Sequence, residues 1–174
     1  ISRGTGGLNP EMAERARIQT HLSQAIDLQT SGQDEQAAGE LDRAIDLGLN
    51  QSASYFVLGL LLRKKDTKKA IHNLQKSVKN PDYALASYLL MADIYEQSNQ
   101  YKEASTNYLQ ALRLADCDTI PVDQSDELFQ LYEPILEAHQ RVTDAKDIRR
   151  LCSVINTQLM RPDWRDYMTA ARHQ

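Results

Sequence analysis

Glycine and proline are scarce in this sequence, 7 and 5 among 174 residues, which is few for a chain with many turns. Val and Ile are sparse as well, whereas Leu, Ala and Gln are common, so the composition favours helix over strand. The only cysteines, Cys117 and Cys152, show neither metal nor redox spacing, and two thiols make no disulfide framework; reduced thiols are expected. No apolar run approaches the roughly 18–20 residues that a membrane span needs. Nothing signal-like opens the sequence, so a cytoplasmic protein without a membrane partner is expected. The first residue is Ile1 rather than Met, which reads as an excised fragment. A formal charge of -4 argues against a general nucleic-acid binder. What is present is ordinary for a soluble globular chain: 41% apolar and 25% charged residues. The length suits one domain or a few small repeating units.

Catalytic patterns are missing too. The histidines, His21, His72, His139 and His173, are scattered without a cysteine or carboxylate at ligand spacing, and neither GxSxG nor HExxH occurs. "RGTGG" at residues 3–7 has the glycines of a phosphate loop, but no strand precedes it and no Lys-Ser/Thr follows. Asp116, Asp118 and Glu127 stand at the first, third and twelfth places of a calcium loop. Ile120 and Pro121 occupy a ligand place and the sharp-turn glycine, so an acidic connector is the expectation there. The expected result is a chain with no catalytic residue, cofactor, metal or small-molecule substrate.

Repetition is the positive signal. Ala37, Ala70 and Ala104 recur at steps of 33 and 34 residues, each followed four places on by a large residue, Leu41, Leu74 and Tyr108. Three further on stand Ala44, Ser77 and Ala111. A second series keeps the same register: His21, Tyr55 and Tyr88, then Ala25, Gly59 and Ala92. Small residues at equivalent helical positions let helices approach closely, and the large residues between them fill the grooves. Each unit therefore reads as two short amphipathic helices. Turn chemistry agrees. Ser31-Gly32 can end a helix left-handed, Asp66-Thr67 offers caps, and Asn80-Pro81-Asp82 stops one helix and starts the next.

On these residues the chain resembles the tetratricopeptide repeat (TPR) family, over roughly residues 18–118. The best-matching stretch is "SYLLMADIYEQSNQYKEASTNYLQALRLAD", with Tyr88, Met91, Ala92, Tyr95, Tyr101, Ala104, Tyr108 and Ala111 on the family's pattern. The resemblance implies an all-α solenoid of stacked antiparallel hairpins, with repeats at 18–51, 52–84 and 85–118 after a flexible linker at 1–16. Residues 119–174 then read as a divergent helical hairpin and a capping helix. Within that tail an acidic linker, "CDTIPVDQSDE", precedes a helix from about Ser125 to Val142 that Pro134 kinks or starts. "DAKDIRRLCSVINTQLM" and "DWRDYMTAARHQ" are the next two expected helices.

In that family the first helix of each repeat lines a concave, partner-binding surface. Carried over, the surface presents Leu22, Ile26, Phe56, Leu60, Leu89 and Asp93, with Arg63 and Lys64 towards its rim. One TPR class grips a C-terminal carboxylate with Lys, Asn and Arg at such positions, and this chain has aliphatic and aromatic residues instead. The resemblance thus implies a non-catalytic scaffold that takes a helical or apolar segment of another protein. Two alternatives stand beside it: self-association as a homodimer, and a regulatory domain of a larger enzyme. "RKKDTKK" at 63–69 reads either as a solvated turn or as a docking point for an acidic segment.

Overall fold

The computed structural model describes residues 9–159, which form eight α-helices with no strand among the described residues. The helices are α1 (Pro10–Thr30), α2 (Asp34–Asp46), α3 (Ser52–Leu62), α4 (Thr67–Ser77), α5 (Pro81–Gln97), α6 (Tyr101–Asp118), α7 (Val122–Arg141) and α8 (Ala145–Leu159). The chain divides into two compact units after Lys76.

In the first unit α1 begins earlier than expected. Asn9 caps it by accepting the Glu11 N–H at 3.3 Å, Pro10 takes the first turn, and Glu11 sits where the helix dipole favours an acid. Residues 10–16, expected as linker, are therefore helical. At its other end Gly32 adopts φ 75°, Gln33 N–H reaches Leu28 O at 2.8 Å and Gly32 N–H reaches Gln29 O at 3.0 Å. That pair of bonds closes a Schellman turn and sends the chain back as α2, which packs on α1 and on α3. Ala37, Ala38, Leu41 and Ala44 form the buried face of α2. Helix α3 is apolar on most sides and buries Leu58, Leu61 and Leu62. Its Gly59 lies against α4 so tightly that a Cβ there would stand 2.5 Å from Leu74 Cγ. Asp66 caps α4 by accepting the Lys69 N–H at 3.0 Å, as the sequence led us to expect.

In the second unit Asn80 caps α5 by accepting the Asp82 N–H at 2.9 Å, with Pro81 in the first turn. The α5–α6 turn repeats the α1–α2 turn 67 residues later. Asn99 has φ 59°, its N–H reaches Glu96 O at 3.0 Å, and Gln100 N–H reaches Tyr95 O at 2.9 Å. Helix α6 is central, with α5, α7 and α8 packed on it. Ala92, Ala104 and Ala111 are fully buried, and the Tyr108 ring fills the space beside them while its hydroxyl donates to Glu96 Oε2 at 2.6 Å. Arg113, only 5% exposed, donates from Nη2 to Glu133 Oε1 at 2.7 Å and stacks over the Phe129 ring 3.2 Å from its centroid.

Two expectations for the tail are corrected. Helix α6 runs through Cys117 and Asp118, so only residues 119–121 separate it from α7, and the acidic linker is reduced to that turn. Cys117 is buried there, and the Tyr132 hydroxyl donates to the Asp116 carboxylate, which ties the last turn of α6 to α7. The calcium-loop spacing consequently falls on the end of one helix and the start of another. Pro134 lies inside α7 and does not mark its start. The expected helix "DWRDYMTAARHQ" lies outside the described residues.

The junction of α6 and α7 holds a buried histidine. Ser105 has one hydroxyl proton, which goes to Lys102 O at 3.0 Å, so its oxygen accepts from His139 Nε2–H at 2.7 Å. Burial, with the nearby Lys102 ammonium, pushes the His139 pKa below 6.5. The unfolded chain therefore takes up this proton at a higher pH than the folded one. Stability conferred by neutral His139 is complete above 6.5 and is lost as pH falls towards the lower folded value. Urea midpoints measured from pH 7.5 to 5 should drop on the acid side, and His139→Gln should flatten that drop. An equally steep drop in the variant would contradict the assignment.

Candidate partner-binding site

The expected surface residues fall into three places. Leu22 and Ile26, one turn apart on α1, face Ala53 and Val57 of α3 across a pocket of about 160 Å³ with Leu41 and Leu61 among its lining. Leu41 and Leu61 are buried, Leu22 and Val57 are half-buried, and Ile26 is 61% exposed. The pocket exists because Ala25 and Ala53 are small at the α1–α3 face, which leaves the longer side chains around them as walls. It is apolar and open at the Ile26 side, so an aliphatic or aromatic group entering it would displace water from several side chains at once.

Leu60, Arg63 and Lys64 line a second, larger cleft of about 670 Å³. Its walls are the end of α3 on one side and residues 32–36, the α1–α2 turn and the first turn of α2, on the other. Leu61 belongs to both cavities and joins them. The cleft carries both signs of charge. Lys65 Nζ stands 3.4 Å from Glu35 Oε2 there, and outside the lining Lys69 pairs with the Asp42 carboxylate. Arg63 Nη1 donates to Leu60 O at 3.2 Å, and no carboxylate among the described residues pairs with it. Phe56 is half-buried on α3.

Leu89 and Asp93 lie on α5, in the second unit. Leu89 packs against that unit's own core, and Asp93 accepts from Gln97 Nε2 at 2.9 Å.

Sequence reasoning passed over Ala53, Val57 and Leu61. Their spacing of four is legible in "SASYFVLGLLL", but the resemblance points to Phe56 and Leu60, the adjacent stripe. His21, expected as a packing residue, is half-buried and donates from Nδ1 to Glu40 Oε2 at 2.6 Å, while Arg43 Nη1 donates to the other oxygen of Glu40. This carboxylate was invisible to any local spacing rule because it lies nineteen residues away. Both cysteines are buried; burial raises the Cys117 pKa and pushes that of Cys152 up to about 11, which disfavours the reactive thiolate.

Among the described residues no helix is long and apolar enough to cross a membrane, and no group of three or more His, Cys, Asp or Glu side chains is placed to hold a metal ion. No family model matches this chain, and no curated protein matches it.

Proposed function

We propose that this chain is a TPR-type protein-binding scaffold, non-catalytic in itself, whose first unit docks a helical or apolar segment of a partner protein against α1 and α3. The observation that carries the reading is the apolar pocket at Leu22, Ile26 and Val57, open to solvent beside a 61% exposed isoleucine. The repeat reading is supported by the two register series and by the matching α1–α2 and α5–α6 turns 67 residues apart. Two buried free thiols suit a reducing, cytoplasmic setting. The net charge of -4 suits a protein partner better than a nucleic acid.

Burying one large aliphatic group is worth about 1.5–3 kcal/mol, so an anchor in this pocket changes affinity by about ten- to a hundredfold. Ile26→Glu should therefore abolish most partner binding without disturbing the fold, since the side chain is mainly exposed. Affinity capture from the source cell's lysate with wild type and Ile26→Glu, compared by mass spectrometry, should identify a protein retained by the first alone. The purified pair should then show at least a tenfold weaker Kd for the variant. Identical catches, with the variant's circular dichroism unchanged, would remove the reading.

A further inference from the structure

Five of the seven residues in "RKKDTKK" are cations, and the structure sorts them into two groups. Lys65 and Lys69 are answered by Glu35 and Asp42 of α2. Arg63, Lys64 and Lys68 have no ion-pair partner among the described residues, and Lys64 and Lys68 are exposed. Arg63 and Lys64 line the larger cleft, which meets the apolar pocket at Leu61. Helix stability does not account for Lys68. It stands in the first turn of α4, where no acidic residue is present and the helix dipole favours an anion over a cation. Asp66, the neighbouring carboxylate, is engaged as the cap on the Lys69 N–H.

We infer that the segment docking on this surface is acidic as well as apolar: its anchor fills the pocket at Ile26 and Val57, and its carboxylates meet Arg63, Lys64 and Lys68. The inference rests on the docking reading above and adds the partner's charge. Val57 lies on α3 and Lys64 in the turn that follows its last residue, Leu62, so the cations stand beyond the C-terminal end of the helix that carries the pocket. A partner segment lying along α3 meets them with Asp or Glu placed past its anchor, towards the end of that helix. The opposite wall, with Asp34 and Glu35, repels such groups and directs them to the α3–α4 side.

The test is a selection of displayed random peptides against the full 174-residue chain. The Kd of each selected peptide is then measured for wild type, Ile26→Glu and Lys64→Glu/Lys68→Glu. Peptides that depend on Ile26 should carry Asp or Glu beside an apolar anchor. They should lose affinity as salt rises and bind the charge-reversed variant at least tenfold more weakly. Lys64→Gln/Lys68→Gln should show a smaller loss of the same sign. Lys68→Glu alone should leave the thermal midpoint unchanged or raise it, because an acid suits the first turn of α4; a marked fall would mean that the lysine serves the fold. Ile26-dependent peptides indifferent to both double variants would overturn the acidic-partner inference and leave the docking reading standing. Peptides indifferent to Ile26→Glu would overturn the docking reading itself.

Discussion

Leu74→Ala should destabilise the first unit by about 3 kcal/mol, and in that background Gly59→Ala should change from harmful to stabilising. Leu74 is fully buried, and truncating such a leucine costs about 2–5 kcal/mol through lost transfer energy and the cavity left behind. Gly59→Ala acts through the same contact. A methyl placed 2.5 Å from Leu74 Cγ and 2.7 Å from Cδ2 forces that side chain out of its position in a packed core. Such overpacking costs about 1–3 kcal/mol. Alanine also favours helix over glycine by about 1 kcal/mol, a gain that the clash outweighs in wild type. With Leu74 truncated the methyl occupies part of the space released, the clash disappears, and the helix preference remains. Urea denaturation of the four proteins in the cycle gives the coupling directly. Additive effects within about 0.3 kcal/mol would mean that α3 and α4 are not held together at this point.

The second large effect is expected at Lys102. Its ammonium lies 2.6 Å from His139 O, 3.0 Å from Gln140 O and 2.5 Å from Val142 O, so its three protons meet three carbonyls at the end of α7. Those carbonyls have no further helical turn to bond, and a cation there also complements the helix dipole. Lys102→Met keeps the length of the stem and removes all three charge-assisted bonds. Each is worth about 1.5–3 kcal/mol when fully buried. Lys102 is only half-buried, so water takes part of that role and the expected net loss is about 2–3 kcal/mol. Lys102→Arg should restore little, because a planar fork cannot present three converging donors. Removing the ammonium also lifts one of the influences that lower the His139 pKa, so the gap to the unfolded value narrows and the acid-side loss of stability should become smaller. A loss below about 0.5 kcal/mol would show that the contact is incidental.

These two sites differ in how far the sequence announced them. Gly59 and Leu74 belong to the two register series, which mark both as helix-packing positions, and the structure brings the two together. The same local signals gave Gly32 as a helix end, Asp66 as a cap and Asn80-Pro81 as a helix start, because each acts within a few residues of itself. Asn9-Pro10 is a signal of that kind too, but the glycines before it made the stretch read as linker. Lys102, by contrast, reaches carbonyls 37 to 40 residues away, and Ser105 meets His139 over 34 residues. No periodicity encodes such pairs; they appear only once α7 is laid on α6. The candidate site was half legible for the same reason. The TPR resemblance named Leu22, Ile26, Arg63 and Lys64, whereas Val57 and Leu61 enter only with the placement of α3 against α1. Leu89, which the resemblance also named, is partly buried and packs on the core of the second unit.

The central claim is that the α1–α3 face of the first unit receives a partner segment. Its most direct test is to titrate the isotope-labelled chain with an Ile26-dependent peptide and follow backbone amide shifts by NMR. Changes should concentrate at residues 22–26, 53–61 and 63–68, with α7 and α8 silent. Shifts centred on α7 or α8, with α1 and α3 unmoved, would contradict it.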